Sequence, residues 1–171
     1  MKSSSFIRPL ALVILAISLA TPCLASGLAS SAVDGTKPAL ALGLLACLAS
    51  SDDMNVGMKR AVKAADATLI SVGIARFVKS SADIGLDSKH SHSFPSGHTA
   101  SAFAMATSLA DAHPKQKWLY YAGAALIGWG SYRAGGHDWE DVVGGAALGI
   151  TVGRLSLKSE NGLLLGKVYK F

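Results

Sequence analysis

Two short stretches carry residue types that can do chemistry together. The first is Pro95-Ser96-Gly97-His98-Thr99, which follows Phe94 and leads into a run of small residues at 100–110. Ser96 is a good N-cap residue, so a helix is expected to begin here. The first amides of a helix have no intrahelical acceptor and present a partial positive charge to any anion. Ser96 and Gly97 are thus placed to hold an oxyanion, with His98 in the first turn beside it. The second stretch runs Arg133-Ala134-Gly135-Gly136-His137-Asp138-Trp139-Glu140-Asp141. A helix would put His137 and Asp141 on one face, where a carboxylate can orient an imidazole. An anion cradle, a histidine that can pass a proton and a second histidine backed by a carboxylate are the parts of a phosphate-handling site.

Pro95 to His98 also match in full the middle motif of the type 2 phosphatidic acid phosphatase superfamily, which includes bacterial acid phosphatases and vanadium haloperoxidases. The chain resembles that family. The family's last motif is Ser-Arg, five residues, His, three residues, Asp. His137 and Asp141 match its second half and lead into Val142-Val143-Gly144-Gly145-Ala146. The resemblance implies that His137 attacks phosphorus to give a phosphohistidine, that Asp141 orients it, and that His98 protonates the leaving group. It also implies a metal-independent reaction without a cofactor, acting on a phosphorylated small molecule or a lipid phosphate.

The chain departs from the family at the residues that clamp the phosphate. Ser131 stands where the last motif has its arginine. The first motif, Lys, six residues, Arg-Pro, is absent, and the nearest equivalent stretch is 71–79. A rebuilt clamp would draw on Arg76, Lys79, Lys89 or Arg133. Arg133 is the first choice, because Gly135-Gly136 could let the backbone re-aim it. The substrate-binding set is then Ser96, Gly97, Arg133 and Lys79. Without such a clamp, the alternative is a catalytically degenerate phosphate- or lipid-phosphate-binding envelope protein on the same scaffold. A structural envelope protein that kept the helices for packing alone is a third reading. A haloperoxidase is disfavoured, because its vanadate-holding lysine and arginines are missing.

These residues need helices to position them. Helical patterns are expected at 39–49, 55–78, 99–112, 118–130 and 141–157, with Thr36 as a cap and Pro38 in the first turn of the first. Pro114-Lys115-Gln116-Lys117 reads as a turn and 80–94 as a polar loop. His90 and His92 in that loop lack a third ligand at metal-binding spacing, so they read as solvated or as lining the mouth of the site. His113 before Pro114 reads as a helix C-terminus. Trp139 and Glu140 read as a rim contact and a solvated acid, and Trp118, Tyr120 and Tyr121 as core or interfacial anchors. Asn161-Gly162 and the alternation at 168–171 have the pattern of a short hairpin. The expected fold is an all-α compact bundle of five to six helices.

The 171 residues fit one domain, with 18 glycines and only 7% aromatic residues, a composition for closely packed helices with small contact residues. The formal charge of +5 is too weak and scattered for nucleic acid. Lys2, Arg8, an apolar run at 10–20 and Cys23-Leu24-Ala25 read as an export signal at 1–25, with an anchor helix as the competing reading. Residues 26–171 then form the helical domain, and the location is the cell envelope, periplasmic or inner-membrane associated. After cleavage Cys47 is the only cysteine left, which excludes an intramolecular disulfide and suits a buried apolar position. The apolar runs of roughly 12 to 17 residues are short for membrane spans. The Gly145, Gly149, Gly153 spacing suits either a membrane helix pair or a tight soluble bundle.

Overall fold

The computed structural model describes residues 36–81, 93–160 and 162–164. This part contains α1 (Thr36–Leu48), α2 (Met54–Ser81), α3 (Gly97–Ala112), α4 (Lys117–Arg133) and α5 (Trp139–Lys158), with a 3-10 turn at Pro114–Gln116. There is no strand among the described residues. The expected signal or anchor at 1–25 and the alternation at 168–171 lie outside them. So do Lys89, His90 and His92. Gly162 adopts the left-handed conformation, φ 84°, that its turn signal called for.

Helix α3 is the axis of the bundle and packs against all four other helices. Its sequence explains this. Ten of its residues are buried, and eight of those are Ala, Ser or Thr. Small side chains let several backbones approach one helix closely. The buried hydroxyls do not stay unsatisfied: Thr107 donates to the Phe103 carbonyl at 2.8 Å and Ser108 to that of Ala104 at 3.2 Å.

The glycine seam of α5 sets the closest approach. Gly145 meets Ser96 and Thr99, Gly149 meets Ala100 and Ala104, and Gly153 meets Thr107. The contacts climb both helices in the same order, so α3 and α5 run parallel. A Cβ at Gly149 would collide with the Ala100 carbonyl oxygen. Helix α2 runs the other way. Its Lys63 Nζ donates to the Leu157 carbonyl at the far end of α5, at 3.0 Å, and Ser156 Oγ donates to the Lys63 carbonyl at 2.9 Å. Helix α4 is antiparallel to α3: Tyr121 bonds Thr107 and Gly128 faces Thr99. One end of the bundle therefore gathers the N-termini of α3 and α5 with the last turns of α2 and α4. Among the described residues no helix is long and apolar enough to cross a membrane.

Two local expectations shift. Thr36 is a buried residue within α1 rather than a cap outside it. Helix α4 passes Gly130 and ends at Arg133, with the Ala134 N–H bonded to the Gly130 carbonyl at 2.9 Å. Gly130 and Ser131 are buried, so packing carries the helix through a glycine that local propensity would have used as a stop.

Candidate active site

The loop at 93–96 enters α3 through Ser96. Its Oγ accepts from the Thr99 N–H at 3.4 Å and from Thr99 Oγ1 at 3.0 Å, a side-chain N-cap. Ser96 is wholly buried, so its hydroxyl shapes the turn and does not face solvent. Its N–H is also committed, to the Asp141 carbonyl at 2.9 Å. The Gly97 amide stands at the first helical position, where no intrahelical acceptor precedes it. His98 follows on an exposed part of the first turn.

The Ser96–Asp141 backbone bond ties the two sequence stretches together. Asp141 lies in the first turn of α5 and is only 3% exposed. Its Oδ2 accepts from the Asp138 N–H at 2.9 Å, the reach-back half of a capping box. The same oxygen lies 3.4 Å from His137 Nδ1. That is an ion-pair distance, but the ring N–H does not meet the oxygen as an aligned hydrogen bond, and Nδ1 has no other such partner. Catalytic hydrogen bonds are often long before substrate binds and tighten afterwards. The Asp138 and Ser96 contacts hold Asp141 in place while His137 remains free to adjust.

Electrostatics single out Lys79, in the last turn of α2. Burial lowers its pKa, opposed by the Asp141 carboxylate and assisted by Arg76. Burial also lowers the pKa of His137, and the Lys79 ammonium and His98 push the same way. The Asp141 carboxylate opposes them. Lys79, His98, His137 and Asp141 therefore act on one region from α2, α3, the α4–α5 loop and α5. The balance keeps His137 neutral at neutral pH, the form with a lone pair to donate.

Among the described residues, this region is where two histidines, a buried carboxylate, a lysine and two helix N-termini meet. A model of the PAP2 superfamily matches residues 11–163. The chain belongs to the PAP2 superfamily. No curated protein and no solved structure gives a match.

The other residues named for this PAP2 site spread out. Arg133 is exposed at the end of α4, and Arg76 is exposed on α2. Ser131, at the position of the family's arginine, is buried and donates to the Ile127 carbonyl at 3.1 Å. Trp139 and Glu140 are exposed, and His113 caps the C-terminus of α3 at the opposite end of the bundle. Two contributors were not singled out from sequence. Asp138 could have been, because Asp-x-x-Asp ahead of an apolar run is a capping-box signal. The Ser96–Asp141 backbone bond could not, because it joins distant stretches through atoms that every residue carries.

Proposed function

We propose that this PAP2 protein is a metal-independent phosphatase that hydrolyses a phosphomonoester or lipid phosphate through a phosphohistidine. The observation that carries the reading is the convergence of neutral His137, buried Asp141, Lys79 and the start of α3 on one region. His137 Nε2 attacks phosphorus, and the P–O bond to the leaving alkoxide breaks as His98 gives that oxygen a proton. Asp141 stabilises the imidazolium at Nδ1. Water then attacks the phosphohistidine, releasing inorganic phosphate and restoring neutral His137.

Lys79 is the first cation of the rebuilt clamp and Arg133 the second, reaching in from the rim. The α3 amides at Gly97 and beyond receive the equatorial oxygens. Ser96 serves by shaping that helix start. A phosphate dianion beside half-buried side chains needs such charge-assisted donors.

A lipid phosphate at the cell envelope suits the surface around the site. Trp129 and Tyr132 are exposed on the last turns of α4, and Trp139 and Val143 are exposed at the start of α5. Aromatic residues with Arg133 at the end of α4 fit a peripheral contact with headgroups. The N-terminal stretch supports export or anchoring in the envelope.

The second reading, a degenerate phosphate binder, is favoured by one observation: buried Ser131 replaces the clamp arginine. One experiment separates the two. Purified chain is assayed for turnover of p-nitrophenyl phosphate and of a lipid phosphate, and for vanadate binding. Turnover with vanadate inhibition supports the phosphatase, and vanadate binding without turnover supports the binder. Neither result leaves a scaffold kept for packing.

A further inference from the structure

We infer that the outer face of α4 lies along a lipid bilayer, at the boundary between anionic headgroups and acyl chains. The inference rests on α4 and is independent of the phosphatase reading. All the charge of this 17-residue helix sits on its two end residues, Lys117 and Arg133. Trp118, Ala122, Ala125, Trp129 and Tyr132 stand four, three, four and three residues apart, the spacing of one helical face, and all are exposed. Leu126 flanks that face and is 63% exposed. Ala124, Gly128 and Ser131, on the opposite side of the helix, are buried in the bundle.

This is not the face of a solvated helix. A surface helix turns charged and polar residues outward and apolar ones inward. Helix α4 turns small residues inward and its largest apolar and aromatic side chains outward. Tryptophan is mostly buried in folded proteins, yet all three tryptophans of this chain are exposed, and Trp118 and Trp129 share this face. A contiguous apolar surface of this kind marks a contact with something other than water.

Charge identifies the partner. A second copy of the face fits badly. Pairing two α4 faces sets a basic end against a basic end whether the helices run parallel or antiparallel. No acidic residue occurs between 112 and 137 to answer them. Anionic headgroups neutralise both ends at once. Lys117 and Arg133 can extend their apolar stems and hold their charges among headgroup phosphates. Trp118, Trp129 and Tyr132 suit the same depth, where a ring meets acyl chain and its N–H or O–H stays wet. The helix is about 25 Å long at 1.5 Å per residue, short of the roughly 30 Å of hydrocarbon in a bilayer. The contact therefore runs along the surface, with the apolar face sunk into the boundary.

The test uses the purified full chain carrying Trp139→Phe, which leaves Trp118 and Trp129 as its tryptophans. Both lie on α4, so their emission reports on this face whatever the rest of the chain binds. The probe is a vesicle of phosphatidylcholine and phosphatidylglycerol with bromine in the acyl chains, which quenches tryptophan on contact. The inference expects emission to shift blue and fall by about half or more on binding, because the face enters the acyl boundary. Leu126→Glu, and separately Ala122→Glu, should each raise the lipid needed for half-maximal quenching about tenfold, as loss of one apolar contact would. Both positions are exposed, and unchanged circular dichroism melting shows that the bundle stays folded. Absence of vesicle binding, binding with unquenched tryptophans, or quenching that neither glutamate weakens would overturn the inference. A blue shift that grows with protein concentration in the absence of lipid would overturn it in favour of self-association. None of these readings depends on turnover.

Discussion

The two ends of the bundle hold nearly the same side chains and are built for different chemistry. At one end stand His98, His137, Asp141 and Lys79. At the other stand His113, Asp111, Arg60 and Lys63, with Cys47 between them. Helix polarity separates the two. The N-termini of α3 and α5 point their partial positive charge into the first end, which favours an anion there. Their C-termini point into the second, where Lys63 already answers the Leu157 carbonyl. Arg60 is likewise spent on Ser50, bonding its carbonyl at 3.2 Å and its hydroxyl at 2.9 Å. Burial lowers the pKa of His113, opposed by a hydrogen bond with the Ala46 backbone and assisted by Arg60, whereas the Asp141 carboxylate lies 3.4 Å from His137. Residue type alone does not distinguish the two ends; the helix termini that surround the residues do.

The comparison is most sharply broken by exchanging its two histidines. His137→Gln should lower turnover by at least about 10³-fold, because it removes the nucleophile. His113→Gln should leave turnover within about twofold. Equal losses from both would mean that the polarity argument is mistaken and that each acts through stability.

The lysines give the next largest effect. Lys79→Ala should cost about 10²-fold in kcat/KM, the range for a lost charge-stabilising donor, and Lys63→Ala should cost little. Arg133→Ala, on the rim, should cost about tenfold. Lys79 also sets a pH signature. Burial, and after it the positive charge of Lys79, disfavours a charge on His137, so the acid limb of kcat/KM should have its midpoint below the ordinary 6.5 of histidine. Removing Lys79 raises the pKa of His137 and moves that limb toward higher pH. The substrate's own titration is common to both enzymes and cancels in the comparison. An acid limb that stays put in Lys79→Ala would separate Lys79 from the site.

Much of this was legible in the residues. The helix starting at Ser96 follows from cap chemistry, and all five helices appear within about three residues of the expected bounds. His137 and Asp141 do meet, but not on one helical face: α5 begins at Trp139, so His137 approaches from the loop before it and Asp141 from its first turn. What escaped was tertiary. Lys79 and Arg133 were both reasonable clamp cations, and only the antiparallel packing of α2 on α5 brings Lys79 to Asp141. Asp66 accepts from the N–H groups of Leu163 and Leu164, nearly a hundred residues away, a pairing that only the packed fold makes. Gly130 looked like a helix end, yet close packing carries α4 through it.

A smaller effect tests the frame that holds both ends. Gly149→Ala should destabilise the fold by about 1–3 kcal/mol, since its methyl meets a backbone carbonyl that cannot rotate away. Thermal unfolding reads this directly, and an unchanged midpoint would show that the α3–α5 seam is looser than described. The smallest effect is at Cys47. Burial pushes its thiol up to about 12, so peptide mapping after iodoacetamide at pH 8 should find it unmodified in the folded chain. Rapid labelling there would show that the second end is open to water.

The central claim is that His137 carries the phosphoryl group. The direct measurement is to mix the purified chain with p-nitrophenyl phosphate, quench within milliseconds in alkali, which preserves phosphohistidine, and locate the phosphate by mass spectrometry. The account predicts phosphate on the peptide containing His137, absent from His137→Gln. Turnover with no phosphopeptide at His137, or with the phosphate on another residue, would contradict it.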